Sequence, residues 1–139
     1  MPQEITVGVK KLVEDAKNSI EEITAQDAKA LLDDDGVVIV DIRDVRELQR
    51  EGKIPGSFHC PRGMLEFWID PSSPYHKDIF AQDKKFVFHC ASGWRSALAT
   101  EVAQRMGLKP VAHIDSGFSG WKEAGGPVEV PEQQWAKKD

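Results

Sequence analysis

The chain has 139 residues, enough for one domain, and 40% of them are apolar, enough for one hydrophobic core. Its net charge is −5 and no block of lysines and arginines stands out, which argues against nucleic-acid binding. No apolar run approaches the roughly 20 residues that cross a membrane, and charged residues interrupt the N-terminus where a signal peptide would be apolar. We therefore expect a cytoplasmic protein that contacts neither nucleic acid nor a membrane.

The first regular element is predicted over residues 9–23. Its apolar residues recur at helical spacing: Val9, Leu12, Val13, Ala16, Ile20 and Ile23. We expect an ordinary covering helix, and the alternative is a helix that pairs two copies of the chain as a homodimer. Residues 1–21 are thus interpreted as an N-terminal helical extension, residues 22–128 as the main domain and residues 129–139 as a C-terminal tail.

The rest of the chain alternates strand patterns with helical patterns, joined by short loops. Strands are predicted over residues 37–40, 57–60, 86–88 and 110–114, and residues 23–24 are expected to form either a short fifth strand or a turn. Helices are predicted over residues 24–32, 43–52, 61–69, 96–106 and 118–124. This alternation predicts an α/β fold, a mainly parallel five-stranded sheet with helices on both faces. Four polar or thiol residues then lie at the carboxyl edge of the sheet, where α/β proteins bind ligands: Asp41, Cys60, Cys90 and Asp115.

The segment from Cys90 to Arg95 lies at this edge, between a predicted strand and a predicted helix. Cysteine is a nucleophile in its thiolate form, which a helix N-terminus and a nearby cation both favour. The helix that begins near Arg95 directs unpaired N–H groups into the loop, and Gly93 permits the backbone angles of an anion-binding nest. The pattern predicts that Cys90 is a nucleophile. The alternative is a buried structural cysteine beside a surface arginine.

Four segments together resemble, in order, those of the rhodanese (thiosulfate sulfurtransferase) superfamily. They read VDIRDVRE (40–47), GKIPGS (52–57), CASGWR (90–95) and GFSGWKEAGGPV (117–128). In that family a cysteine opens a six-residue loop that an arginine closes. The other segments are similar to its Asp-Val-Arg…Glu element, its Gly-His-Ile-Pro-Gly-Ala turn and its closing Gly-Gly…Trp…Ala-Gly-Pro-Val element. Lys53 stands where histidine is usual. The resemblance implies one rhodanese-like domain over residues 22–128.

The resemblance also implies a function, a sulfurtransferase that works through a persulfide on Cys90. Cys90 would take the outer sulfur of a small anionic donor such as thiosulfate and pass it to a thiol, cyanide or a protein acceptor. The rest of the loop is expected to bind the substrate: Ala91, Ser92, Gly93, Trp94 and Arg95. Asp41 and Arg43 are expected to support the base of the loop, and Glu47 is expected to pair with Arg43. No cofactor is implied.

Two other functions stay open at this point. Phosphatase and arsenate reductase relatives of this family have five residues between cysteine and arginine, whereas this chain has four, which favours sulfur over phosphorus chemistry. A non-enzymatic module that binds partners, or a persulfide carrier for a protein acceptor, is the second alternative. The presence of both Cys90 and Arg95 favours an enzyme.

The tripeptide Phe-His-Cys occurs twice, at residues 58–60 and 88–90. Adjacent side chains on a strand point to opposite faces, so we expect no metal site from these histidines and cysteines. Cys60 is expected to be a small buried structural residue. The family's sheet order would place strand 37–40 between the two cysteine strands, and two strand spacings of about 9.5 Å exceed the reach of a disulfide.

Overall fold

The computed structural model describes residues 2–131. Within this part of the chain the strands are β1 (Glu21–Ile23), β2 (Val37–Asp41), β3 (Phe58–His59), β4 (Lys85–His89) and β5 (Val111–Ile114). The α-helices are α1 (Val9–Ser19), α2 (Ala25–Ala30), α3 (Val45–Glu51), α4 (Leu65–Ile69), α5 (Trp94–Arg105) and α6 (Gly117–Glu123). Short 3-10 turns lie at Arg62–Met64 and Asp78–Ala81.

The described strands form one sheet in the order β1-β5-β4-β2-β3, with every neighbouring pair parallel. The predicted five-stranded parallel sheet is therefore confirmed, as is the position of β2 between the strands that precede Cys60 and Cys90. Asp41 lies level with His89 of β4 and with His59 of β3. Hence the carboxyl ends of three neighbouring strands meet at one edge, and Cys90 follows directly beyond it.

Helices cover both faces of the sheet, as predicted. Phe86 and Phe88 of β4 pack on one side with Ala99 of α5, in a core that also includes residues of α4. Val87, between those two phenylalanines, packs on the other side with Trp121 of α6, in a core that also includes residues of α2. This alternation follows from the two-residue period of a strand, and it explains why β4 is apolar throughout.

The N-terminal segment differs from its prediction. The helix ends at Ser19 rather than at residue 23, because Ile20 has an extended backbone and Glu21–Ile23 pairs with β5. Strand pairing with a neighbour overrides the helical spacing of the apolar residues here. Val13 and Ala16 of α1 pack against Ala97 of α5. α1 therefore lies on the outside of α5, which itself packs on the sheet. The homodimer through α1 stays a prediction.

Most helix ends follow local signals in the sequence. Asp44 caps α3, so this helix begins two residues later than predicted, and Glu47 completes a capping box with it. Gly93 precedes α5, so that helix begins at Trp94 rather than at Ser96. The helix predicted over residues 61–69 is split into a 3-10 turn and the shorter α4.

The last described residues pack on the domain. Lys53 and Glu129 exchange two backbone hydrogen bonds, each 2.9 Å long. Residues 132–139 of the predicted tail lie outside the described residues. Between residues 2 and 131, no helix combines the length and the apolar character that crossing a bilayer requires.

Candidate active site

The sulfur of Cys90 accepts hydrogen bonds from two backbone N–H groups. The residue follows β4 directly and is 1% exposed. Its Sγ accepts the backbone N–H of Gly93 at 3.1 Å and that of Ser96 at 3.4 Å, and the Ser96 hydroxyl lies 3.5 Å away. The loop and the first turn of α5 thus direct their free donors at one atom. Such an arrangement stabilises negative charge on sulfur.

The start of α6 holds the loop from its other side. The N–H of Phe118 donates to the carbonyl of Cys90 at 2.7 Å, and the N–H of Ser119 donates to that of Ala91 at 3.0 Å. Gly117 has a φ of 63° and lies so close to Ala91 that a Cβ there would collide with the Ala91 backbone. The closing segment noted in the sequence therefore positions the Cys90 loop.

Asp41 and Arg43 form an ion pair with both side chains fully buried. Arg43 Nη2 donates to Asp41 Oδ2 at 2.8 Å and to the carbonyl of Gly52 at 2.9 Å, and its guanidinium carbon lies 4.2 Å from the centre of the Phe118 ring. Burial alone would raise the pKa of Asp41, but the hydrogen bonds and charge of Arg43 bring it below its ordinary value of 3.8. The pair therefore links the end of β2 to the Gly52 turn and to α6.

Glu47 pairs with Arg95, so the expected pair with Arg43 is wrong. Both Glu47 carboxylate oxygens accept hydrogen bonds from the Arg95 guanidinium at 2.9 Å. Arg43 is already held by Asp41 in the interior, whereas the capping box of α3 fixes the Glu47 carboxylate within reach of Arg95. The bond from Arg95 lowers the pKa of Glu47, although burial opposes this. Arg95 remains 44% exposed as a side chain.

The other predicted loop residues have different positions. Ser92 and Trp94 are exposed, Trp94 to 49%, and Ala91 is half-buried. The structure therefore brings Gly93, with the N–H of Ser96, to the sulfur of Cys90. It places Ser92 and Trp94 on the surface of the loop.

The sequence analysis assigned no role to Ser96 or to His113, which falls within the strand predicted over residues 110–114. Ser96 and His113 are fully buried, and Ser96 Oγ lies 2.8 Å from His113 Nδ1. The other ring nitrogen, Nε2, lies 2.9 Å from Oε2 of Glu22 on β1. A signal was present, since the other three residues of the strand VAHI that contains His113 are apolar.

Cys60 lies in the core and is fully buried. Burial raises its pKa to about 12, so this thiol stays protonated at neutral pH and fits the structural role expected for it. Across residues 2–131, no three side chains of His, Cys, Asp or Glu gather closely enough to hold a metal ion.

The model of the rhodanese-like domain family matches residues 24–124. This chain belongs to the rhodanese-like family. The match covers β2 to β5, the Cys90 loop and all of α6, and it confirms the family resemblance seen in the sequence. The rhodanese-like domain therefore accounts for most of the chain, with α1 and β1 preceding the matched residues.

Similar proteins carry two kinds of name. A solved structure from Rhodopseudomonas palustris, described as a protein of unknown function and possible tyrosine phosphatase, is 64% identical, with a TM-score of 0.90 over 93% of this chain and 99% of that one. Mouse thiosulfate sulfurtransferase/rhodanese-like domain-containing protein 3 is 28% identical over 71% of this chain and 66% of its own length. The dual specificity phosphatase Cdc25 of Arabidopsis thaliana is 31% identical over 81% of this chain and 83% of its own length.

Proposed function

We propose that this protein is a sulfurtransferase that carries a sulfane sulfur as a persulfide on Cys90. The observation that supports this most directly is the convergence of the Gly93 N–H and the Ser96 N–H on a single buried sulfur atom, with the Ser96 hydroxyl 3.5 Å from it. These donors are placed to stabilise a thiolate before the reaction and an anionic persulfide after it. Membership of the rhodanese-like family and sulfurtransferase names among its relatives support the same class of reaction.

The first half-reaction takes sulfur from a small anionic donor such as thiosulfate. The Cys90 thiolate attacks the outer sulfur, a new S–S bond forms, and the S–S bond of thiosulfate breaks. Sulfite leaves with the electron pair of that bond and carries two negative charges. The third negative charge, which the thiolate brought, remains on the enzyme as the persulfide anion. The positive charge of Arg95 at the half-exposed end of the loop attracts the donor.

The second half-reaction returns Cys90 to its starting state. A thiophilic acceptor such as cyanide, a thiol or a partner protein attacks the terminal sulfur of the persulfide. The Cys90 thiolate leaves with the bonding pair and is again held by the same donors. The exposed Ser92 and Trp94 lie on the loop surface that such an acceptor approaches.

Phosphatase activity is the second candidate, because two similar proteins carry phosphatase names. Three features of the loop favour sulfur. Four residues separate Cys90 from Arg95, and the loop amides are turned onto the sulfur itself. Arg95 also has its guanidinium occupied by both oxygens of Glu47, whereas phosphate recognition uses that planar fork for the substrate.

The test combines an activity assay with intact mass spectrometry. We expect thiocyanate formation from thiosulfate and cyanide, and an increase of one sulfur mass after thiosulfate treatment alone. Cys90→Ser should lose both signals, because serine cannot form the persulfide. Cys60→Ala is the matched control and should keep both, since burial raises the pKa of Cys60 to about 12 and leaves its thiol protonated.

Two results would contradict the proposal. The first is a wild-type protein with neither adduct nor turnover for any small sulfur donor, which would favour the partner-binding module. The second is hydrolysis of p-nitrophenyl phosphate or a phosphotyrosine peptide that is lost in Cys90→Ser, without sulfur transfer. That result would establish phosphatase activity instead.

A further inference from the structure

A buried chain of hydrogen bonds runs from Cys90 across the sheet to the N-terminal strand. It passes from Cys90 Sγ to Ser96 Oγ at 3.5 Å, from Ser96 Oγ to His113 Nδ1 at 2.8 Å, and from His113 Nε2 to Glu22 Oε2 at 2.9 Å. The side chain of His113 is fully buried and that of Glu22 is 32% exposed. The chain therefore joins the loop sulfur to a carboxylate that reaches solvent.

The donors and acceptors in this chain determine where its protons lie. An ionised carboxylate only accepts, so His113 Nε2 carries a hydrogen and donates it to Glu22. In a neutral ring the other nitrogen, Nδ1, is then an acceptor, and the Ser96 hydroxyl donates to it. The Ser96 oxygen is left to accept the S–H of the Cys90 thiol. Every hydrogen in the resting chain thus points away from Cys90 and toward Glu22.

We propose that His113 is the base that receives the thiol proton of Cys90, with Ser96 passing the proton and Glu22 orienting the ring. The S–H bond of Cys90 breaks as its proton moves to Ser96 Oγ, and the hydroxyl proton of Ser96 moves to His113 Nδ1. A thiolate and an imidazolium result, with no net change in the charge of the protein. Ser96 then donates to the sulfur, and His113 donates to Ser96. The use of this thiolate in sulfur transfer rests on the proposed function.

The charges around His113 suit a proton acceptor. Burial lowers its pKa below the ordinary value, so the ring is neutral and free to accept a proton at neutral pH, while Glu22 and Asp115 favour the imidazolium. Lys17 of α1 disfavours the imidazolium, and its Nζ lies 3.9 Å from the Glu22 carboxylate. A thiolate on Cys90 would itself stabilise the imidazolium, since the two charges form together.

The test follows alkylation of Cys90 by iodoacetamide, which needs the thiolate and does not need sulfur transfer. Peptide mass spectrometry separates Cys90 from Cys60, and rates are measured from about pH 5.5 to about pH 9.5, a range that spans ordinary histidine and cysteine titration. We expect His113→Gln to lower the rate at neutral pH about tenfold and to displace the profile to higher pH. Ser96→Ala should act similarly, although it keeps the backbone N–H bond to the sulfur.

Charge variants test the sign of the effect. Glu22→Gln should displace the alkylation profile to higher pH, because it removes the anion that favours the imidazolium. Lys17→Gln should displace it in the opposite direction, because it removes a cation that disfavours the imidazolium. His76→Gln is the control, since His76 pairs with Asp78, 3.7 Å away, outside this chain of hydrogen bonds.

The outcomes separate this inference from the proposed function. Alkylation profiles that are unchanged in folded His113→Gln and Ser96→Ala would overturn this proton relay from Cys90 through Ser96 to His113, whatever the sulfur-transfer assay shows. Displaced profiles in a protein without sulfur transfer would support the relay and overturn the proposed function. If His113→Gln does not fold, the alkylation profiles of Glu22→Gln and Lys17→Gln provide the test. Two profiles that match the wild type, or that move in the same direction, would count against the relay.

Discussion

The backbone at Gly93 turns with a φ of 109°, in the left-handed region, and so directs its N–H at Cys90 Sγ. A side chain is excluded there for a second reason. A Cβ at this position would collide with the backbone carbonyl of Asp115, which is the residue that follows β5. One residue therefore satisfies both the turn of the loop and its close packing against the neighbouring segment.

Gly93→Ala should consequently damage both stability and the site. We expect the free energy of unfolding to fall by roughly 2–4 kcal/mol, since backbone strain and a backbone collision add together. Sulfur transfer should be lost as the Gly93 N–H moves away from the sulfur. Urea unfolding and the thiosulfate:cyanide assay measure the two effects.

Gly56→Ala provides the matched control for that experiment. Gly56 also has a positive φ, 76°, but a Cβ there would meet open space. Gly56→Ala should lower the free energy of unfolding by about 1 kcal/mol, because alanine is strained in a left-handed backbone. Sulfur transfer should be retained. Equal losses for the two variants would mean that the contact with Asp115 does not matter.

At the scale of elements, α1 and β1 are integrated into the domain although they precede the residues matched to the family. β1 extends the sheet beside β5, and α1 packs on α5 through Val13, which is 3% exposed. Val9 lies on the same helix and is 54% exposed. Substitutions of these two valines therefore test whether α1 contributes to the stability of the domain.

Val13→Ala should lower the free energy of unfolding by roughly 1–3 kcal/mol, through lost apolar burial and the cavity that remains. Val9→Ala is the matched control and should change it by less than about 0.5 kcal/mol. Urea denaturation measures both. If Val13→Ala proves as mild as Val9→Ala, α1 does not contribute to the stability of the domain.

At the scale of the whole molecule, two buried histidines link stability to pH. Burial lowers the pKa of His89 and of His113 below the ordinary 6.5, although nearby carboxylates oppose the shift. Below about pH 6.5 the unfolded chain therefore binds protons that the folded protein does not, and stability falls as the pH falls. The lowered pKa of Asp41 and of Glu47 keeps their contributions intact until the pH is more acidic still.

We accordingly expect the free energy of unfolding to decrease steadily from about pH 7.5 to about pH 5.5, a window above ordinary carboxylate titration. His89→Gln should flatten this dependence, because it removes one of the two buried titrating groups. Denaturant unfolding at several pH values is the measurement. A wild-type stability that is constant or rises toward acid would contradict the assignment of neutral buried histidines.

The pairings within the site mark the limit of what sequence reasoning reached. The resemblance to the rhodanese family predicted that Glu47 pairs with Arg43, four positions before it. The structure instead buries Arg43 with Asp41 and joins Glu47 to Arg95, 48 positions away. Helix capping sets the direction of Glu47, and only the folded chain brings Arg95 within its reach.

The sequence by itself determined the alternation of strands and helices, the parallel sheet and the placement of Cys90 at its carboxyl edge. These follow from periodicity, turn residues and family motifs, which act over short stretches of chain. Only the tertiary structure decided that the first strand spans residues 21–23 and pairs with β5, that Glu47 holds Arg95, and that His113 lies between Ser96 and Glu22. His113 and Glu22 are 91 positions apart, and their contact depends on the pairing of β1 with β5, which no local pattern encodes.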